Sequence, residues 1–246
     1  MRVHQQSAFV LLNRPYSETS WIVEIVSRDY GRLALMAKGA RRIKSKLKGV
    51  LLPFQPVMLS WTGKGEIPTL TSSEIDQRNF NFIENELTGD ALVCGFYCNE
   101  LLINVLHRHD PHPKLFDQYH KTILALSTSQ DLATTLRDFE QLVIKETGYE
   151  VSFEFEADGK TPIQAEHFYQ FMPSKGFVNV AQTDAKAVQG KVVLSLLGTN
   201  DISLSAAEVS FGKHLMRDIL RQTLGNKKII SRELFYPKVR GNSGDG

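Results

Sequence analysis

Over the first 78 residues the apolar positions fall in short runs, most of them alternating with polar ones. Residues 8–13 are apolar up to the terminal asparagine, and Trp21, Val23 and Ile25 alternate with Ile22, Glu24 and Val26. Leu33 and Leu35 alternate with Arg32, Ala34 and Met36, and Val57, Leu59 and Trp61 repeat at period two. A last run, residues 66–72, carries Pro68 and suits an edge strand, because proline cannot donate to a ladder. The breaks contain Asn13-Arg14-Pro15, Asp29-Tyr30-Gly31 and Gly63-Lys64-Gly65, all turn compositions. Five short strands predict a small barrel, for which the OB-fold is the five-stranded candidate.

The period then changes. Leu87, Ala91, Cys94, Cys98, Leu101 and Val105 recur at four- and three-residue steps, the stripe of a core-facing helix. A second helix is predicted over residues 114–126. A third places Leu132, Leu136, Phe139 and Val143 on one face and ends at Gly148. Residues 166–171 and 176–180 predict a hairpin across Pro173-Ser174-Lys175-Gly176. Residues 205–224 return to helix, with Ser205 as N-cap, Glu208 at the capping-box position and Gly225 beyond the end. The expected class is α+β. Residues 1–80 are expected to form a five-stranded OB-fold barrel, and residues 81–240 a mainly helical domain with a small β element near 165–182. Residues 241–246, small and polar, form a disordered tail.

Composition narrows the setting. The chain has 246 residues, 42% hydrophobic and 23% charged, ordinary values for a globular protein with a sizeable core. No apolar run approaches a bilayer span, and MRVHQQSAFV lacks the order of a signal peptide. Two cysteines cannot make a disulfide framework. A cytoplasmic protein is expected. The net charge of +2 hides a split, with +6 on residues 1–80 and −4 on the remainder. Such asymmetry points to a polyanion at the N-terminal part.

The strongest local feature is residues 38–48, where Lys38, Arg41, Arg42, Lys44, Lys46 and Lys48 occur with no acid between them. Placed between two strands and bracketed by Gly39 and Gly49, the segment reads as a mobile loop able to track a phosphate backbone. Arg32, on the preceding strand, joins these six as a candidate DNA contact. The alternative is a solvated loop that touches nothing. Among nearby aromatics, Trp21 and Trp61 have the inward phase of core residues, whereas Tyr30, at a turn, is expected to be exposed. Lys227, Lys228, Arg232, Lys238 and Arg240 form a second basic cluster that either extends the charged surface or is a solvated C-terminal segment.

Other chemistry finds little support. Cys94 and Cys98 share the apolar stripe and lack a second pair to complete a zinc site, so buried thiols are expected. His107, His109, Asp110 and His112 match no metal motif and lie where a helix ends before Pro111. Gly159-Lys160-Thr161 lacks the first glycine of a P-loop, since Glu154 stands there, and no hydrolase or dinucleotide motif is present. The expectation is a protein that is not an enzyme and has no cofactor, no metal, no membrane segment and no small-molecule substrate. Two rival classes are an adaptor whose basic loop meets an acidic protein, and a nuclease holding a metal through carboxylates such as Glu154 and Glu156 or through the histidine cluster.

Arg14-Pro15-Tyr16-Ser17-Glu18-Thr19-Ser20, Ala37-Lys38-Gly39-Ala40-Arg41, Leu47-Lys48-Gly49 and Pro53-Phe54 together resemble the N-terminal domain of the RecO recombination-mediator family. Asn99-Glu100-Leu101-Leu102, Gly148-Tyr149 and Ser231-Arg232-Glu233-Leu234-Phe235 extend the resemblance in order along the chain. It implies an OB-fold followed by helices, and a role in DNA repair by homologous recombination. It further implies binding of single- and double-stranded DNA, annealing of complementary strands, and help to the recombinase in displacing single-strand-binding protein. The implied partners are RecR and the acidic tail of single-strand-binding protein. Arg137 matches the family position for that tail, with Gln141 and Lys145 on the same helix face. The lack of cysteine in residues 151–160 resembles the zinc-free proteobacterial branch.

Overall fold

The computed structural model describes residues 2–80, 86–129, 131–146, 151–173, 175–197, 202–223 and 229–231. Gly148, Gly225, the second basic cluster and residues 241–246 lie outside the described residues.

Five strands close into a barrel: β1 (Arg2–Pro15), β2 (Trp21–Ser27), β3 (Gly31–Ala37), β4 (Pro56–Thr62) and β5 (Thr69–Ile75), in the order β1-β2-β3-β5-β4. This is the expected OB-type barrel, and the class is α+β. β1 is longer than its apolar stretch because its two halves pair with different neighbours. Residues Ala8 to Pro15 run antiparallel to β2, and Arg2 to Phe9 antiparallel to β4. Irregularities between Val3 and Gln6 and between Val10 and Leu12 let one strand curve around the barrel. Pro68 is not within a strand. It precedes β5, and its carbonyl accepts from the Met36 amide at 2.8 Å, where the parallel β3–β5 contact closes the barrel.

Two hydrophobic clusters divide the molecule. Val10, Ile25, Leu35, Leu59 and Trp61 fill the barrel. Tyr30, expected to be exposed, packs edge-on against Trp61 at 5.3 Å and joins this core. Phe9, Leu11 and Val26 point the other way, into a second cluster built mainly from helices. β1 is therefore apolar on both faces because both faces are covered, which explains why residues 8–13 do not alternate.

The helices of that second cluster are α3 (Gly89–Val105), α4 (Pro113–Thr128) and α5 (Leu132–Glu146), preceded by the single turns α1 (Leu47–Val50) and α2 (Gln77–Phe80). The predicted stripe of α3 holds: Cys94, Cys98 and Leu101 are buried, and Ala91 and Val105 pack beside them. The hairpin forms as β6 (Phe168–Met172) and β7 (Gly176–Asn179), joined by a short β8 (Val188–Gln189) on the other side of β6. α6 (Gly190–Ser195) and α7 (Ala206–Thr223) follow. The capping box before α7 is present, with Glu208 accepting from the Ser205 amide at 2.8 Å while Ser205 Oγ accepts from the Glu208 amide.

The connector between α3 and α4 carries the histidine cluster and docks on β3. The His109 amide donates to the Arg32 carbonyl at 2.9 Å. Arg108 Nη2 donates to both oxygens of Glu24, at 2.8 and 3.3 Å, and Glu24 is only 6% exposed. Gly31 makes this docking possible. Its φ of +66° is in the left-handed region, and a Cβ there would lie 2.2 Å from the Asp110 carbonyl oxygen.

Candidate nucleic-acid interface

The OB-fold reads oligonucleotides on its β2–β3 face and on the loops that flank it. Here part of that face is taken. Glu24 and Val26 point outward from β2 and are covered by Arg108 and by the helical cluster. Arg32 belongs to the same seam and not to the basic loop. Its side chain, 15% exposed, donates through Nη1 to the Ile103 carbonyl and lies 3.8 Å from Glu24. Burial lowers its pKa from the ordinary arginine value, opposed by the Glu24 charge.

Exposed surface remains at one end of the barrel. Around the ladder, Arg14 faces Ile22, Ile22 faces Met36, Met36 meets Thr69, Thr69 faces Thr62, and Thr62 faces Arg2. The turns at residues 16–20 and 63–68 and the start of the basic segment thus leave the barrel at one end. Arg2, Arg14 and Lys64 are exposed there. Sequence inspection missed these three, because only the strand register places them beside the basic run.

The basic segment, read from its glycines as a mobile loop, is hydrogen-bonded along its length. It is a succession of tight turns: the Arg42 amide donates to Gly39 O at 3.2 Å, Ser45 to Arg42 O at 3.1 Å and Lys48 to Ser45 O at 3.3 Å. Gly39, at φ +73°, supplies the left-handed residue that starts the series. Ala40 is fully buried in the barrel core, and Leu47 packs against it. The Arg41 amide donates to Thr19 O at 3.0 Å, and its guanidinium to Ser17 O, which ties the segment to the β1–β2 turn.

All six predicted cations are exposed. Among the described residues none of them pairs with a carboxylate. Lys38, Arg41 and Arg42 lie by the barrel end, next to the Thr19 turn. Lys46 lies farther along, lining an open groove with Gln5, Val50, Met58 and Glu74. Exposed cations without carboxylate partners among the described residues attract a polyanion by releasing its counterions, without reading sequence.

The predicted tail contact, Arg137, Gln141 and Lys145, lies on α5, whose buried face holds Phe139, Val143 and Ile144. It is not a uniformly solvated face: Lys145 is exposed, whereas Arg137 and Gln141 are half-buried. The Gln141 amide nitrogen is buried with no hydrogen-bond partner among the described residues. Next to Arg137, burial raises the Asp138 carboxyl above its ordinary value, with the arginine opposing.

The cysteines are buried thiols. Burial pushes Cys94 up to about 11 and Cys98 well above the ordinary thiol value. Among the described residues no three of His, Cys, Asp or Glu gather as a metal site would require, and no helix is long and apolar enough to cross a membrane.

Residues 1–78 match the family described as Recombination protein O N terminal, and residues 86–233 match Recombination protein O C terminal. The DNA repair protein RecO of Paraburkholderia xenovorans is 41% identical over 238 residues, covering 95% of this chain and 77% of that protein. That of Aromatoleum aromaticum is 40% identical over 95% of both chains. That of Coxiella burnetii (strain RSA 493) is 37% identical, covering 96% of this chain and 99% of its own. With both halves matched in order over nearly the whole length, this chain belongs to the RecO family of DNA repair proteins.

Proposed function

We propose that this protein is a non-enzymatic recombination mediator. It binds single- and double-stranded DNA without sequence preference and anneals complementary strands. It also helps load the strand-exchange recombinase onto DNA coated by single-strand-binding protein. The observation that carries this reading is the set of six exposed cations of residues 38–48, which have no carboxylate partner among the described residues. Cations that neutralise two phosphate backbones at once lower the repulsion between approaching strands. Residues 1–80 are the DNA-binding unit in this reading and residues 81–240 the partner-docking unit, in a cytoplasmic, nucleoid-associated protein.

Arg137, Gln141 and Lys145 hold the acidic tail of single-strand-binding protein. Arg137 takes the terminal carboxylate, the charge-assisted contact that a guanidinium makes best, and Gln141 gains a partner for its amide. RecR is the second protein partner. Annealing of DNA coated with single-strand-binding protein, with and without that protein's tail, tests the reading. Annealing that depends on the tail, and that falls in Arg137→Ala, supports it. Annealing indifferent to both removes the tail assignment, and no annealing of bare strands removes the function itself.

A further inference from the structure

Ile43 is 94% exposed, the most solvent-accessible large apolar side chain among the described residues. A single exposed isoleucine is ordinary on a protein surface, but the setting of this one is not. It lies between Arg42 and Lys44, both exposed, within the turn series. The segment on either side is fixed by the Arg42–Gly39, Ser45–Arg42 and Arg41–Thr19 hydrogen bonds and by buried Ala40. In these turns the side chain stands in solvent, away from the barrel core. Tyr16, 62% exposed, stands on the neighbouring turn to which Arg41 is tied.

We propose that Ile43 is a wedge that inserts between adjacent bases of a bound strand. This deepens the function proposed above and rests on it. Flanking cations fix the two phosphates on either side, which brings the intervening base step onto the isoleucine. An apolar side chain delivered in this way unstacks the step, as the wedges of minor-groove proteins do. A nucleic acid is favoured over an acidic protein because cations on both sides of one apolar residue match a backbone whose charges alternate with apolar bases. A strand held with bases parted is also prepared to meet its complement.

The test uses the full-length protein and a single-stranded oligonucleotide with 2-aminopurine between adenines, whose fluorescence rises when it is unstacked. The parent protein raises the fluorescence on binding. Ile43→Ser abolishes that rise and weakens binding roughly tenfold, as loss of one buried apolar side chain implies. Its salt dependence is unchanged, because no cation is removed. Ile43→Met, still apolar, keeps the rise. The proposal is overturned if the parent gives no rise, if Ile43→Ser retains it, or if Ile43→Met loses it. Failure of the underlying DNA-binding assignment reads differently: neutralising Arg41, Arg42, Lys44 and Lys46 then leaves affinity unchanged.

Discussion

The side-chain amide of Asn99, on α3, donates to the main-chain carbonyl of Leu11, on β1, at 2.9 Å in a fully buried setting. Its oxygen accepts from the Tyr119 hydroxyl of α4, so one residue joins the barrel to two helices. Asn99→Leu leaves the Leu11 carbonyl and the Tyr119 hydroxyl buried without partners. We expect a loss of about 2–3 kcal/mol, measured by urea unfolding, and about half that for Tyr119→Phe.

Gly31 is another point where the halves meet. Gly31→Ala places a Cβ against the Asp110 carbonyl and forces a left-handed alanine. The expected cost is roughly 2–3 kcal/mol. Hydrogen exchange should speed up at the His109 amide, whose acceptor is Arg32 O. Unchanged protection there removes the docking role assigned to this glycine.

How legible these features were in the sequence depends on the range of the interaction. The helical stripe of α3, the capping box of Ser205 and Glu208 and the barrel class follow from local period and local chemistry. The first half of β1 does not, because Arg2, His4, Gln5 and Gln6 are polar and become strand only by pairing with β4, some fifty residues on. The burial of Tyr30 is not legible locally either, because its partner, Trp61, is also remote in sequence. The charge of residues 38–48 is plain in the sequence, but their turn structure is not: it is anchored by the burial of Ala40 and the bonds to Ser17 and Thr19. Arg32 was grouped with that charge by proximity in sequence, whereas strand geometry turns it toward Glu24.

The turn at residues 158–161 predicts a pH effect. The Asp158 carboxylate accepts from the Lys160 and Thr161 amides, both at 2.8 Å, and from the Thr161 hydroxyl, which together hold it down to about 2. A carboxyl depressed in the folded state stabilises the fold fully above its ordinary value of 3.8, and that contribution fades as pH falls toward about 2. An NMR titration should find the Asp158 carboxyl near 2. A midpoint near 4 contradicts the hydrogen bonding.

Cys94 and Cys98 should resist a thiol reagent at pH 8 in the folded protein and react promptly in denaturant, because burial keeps both protonated. Rapid labelling of the native protein contradicts their packing in α3.

The central claim is that residues 38–48 meet phosphate. The affinity for one single-stranded oligonucleotide is measured across a salt titration, for the parent and for the protein with Arg41, Arg42, Lys44 and Lys46 neutralised. The neutralised protein should bind more weakly, with a slope of log affinity against log salt flatter by up to about 3. The same affinity and the same slope in both proteins would contradict the claim.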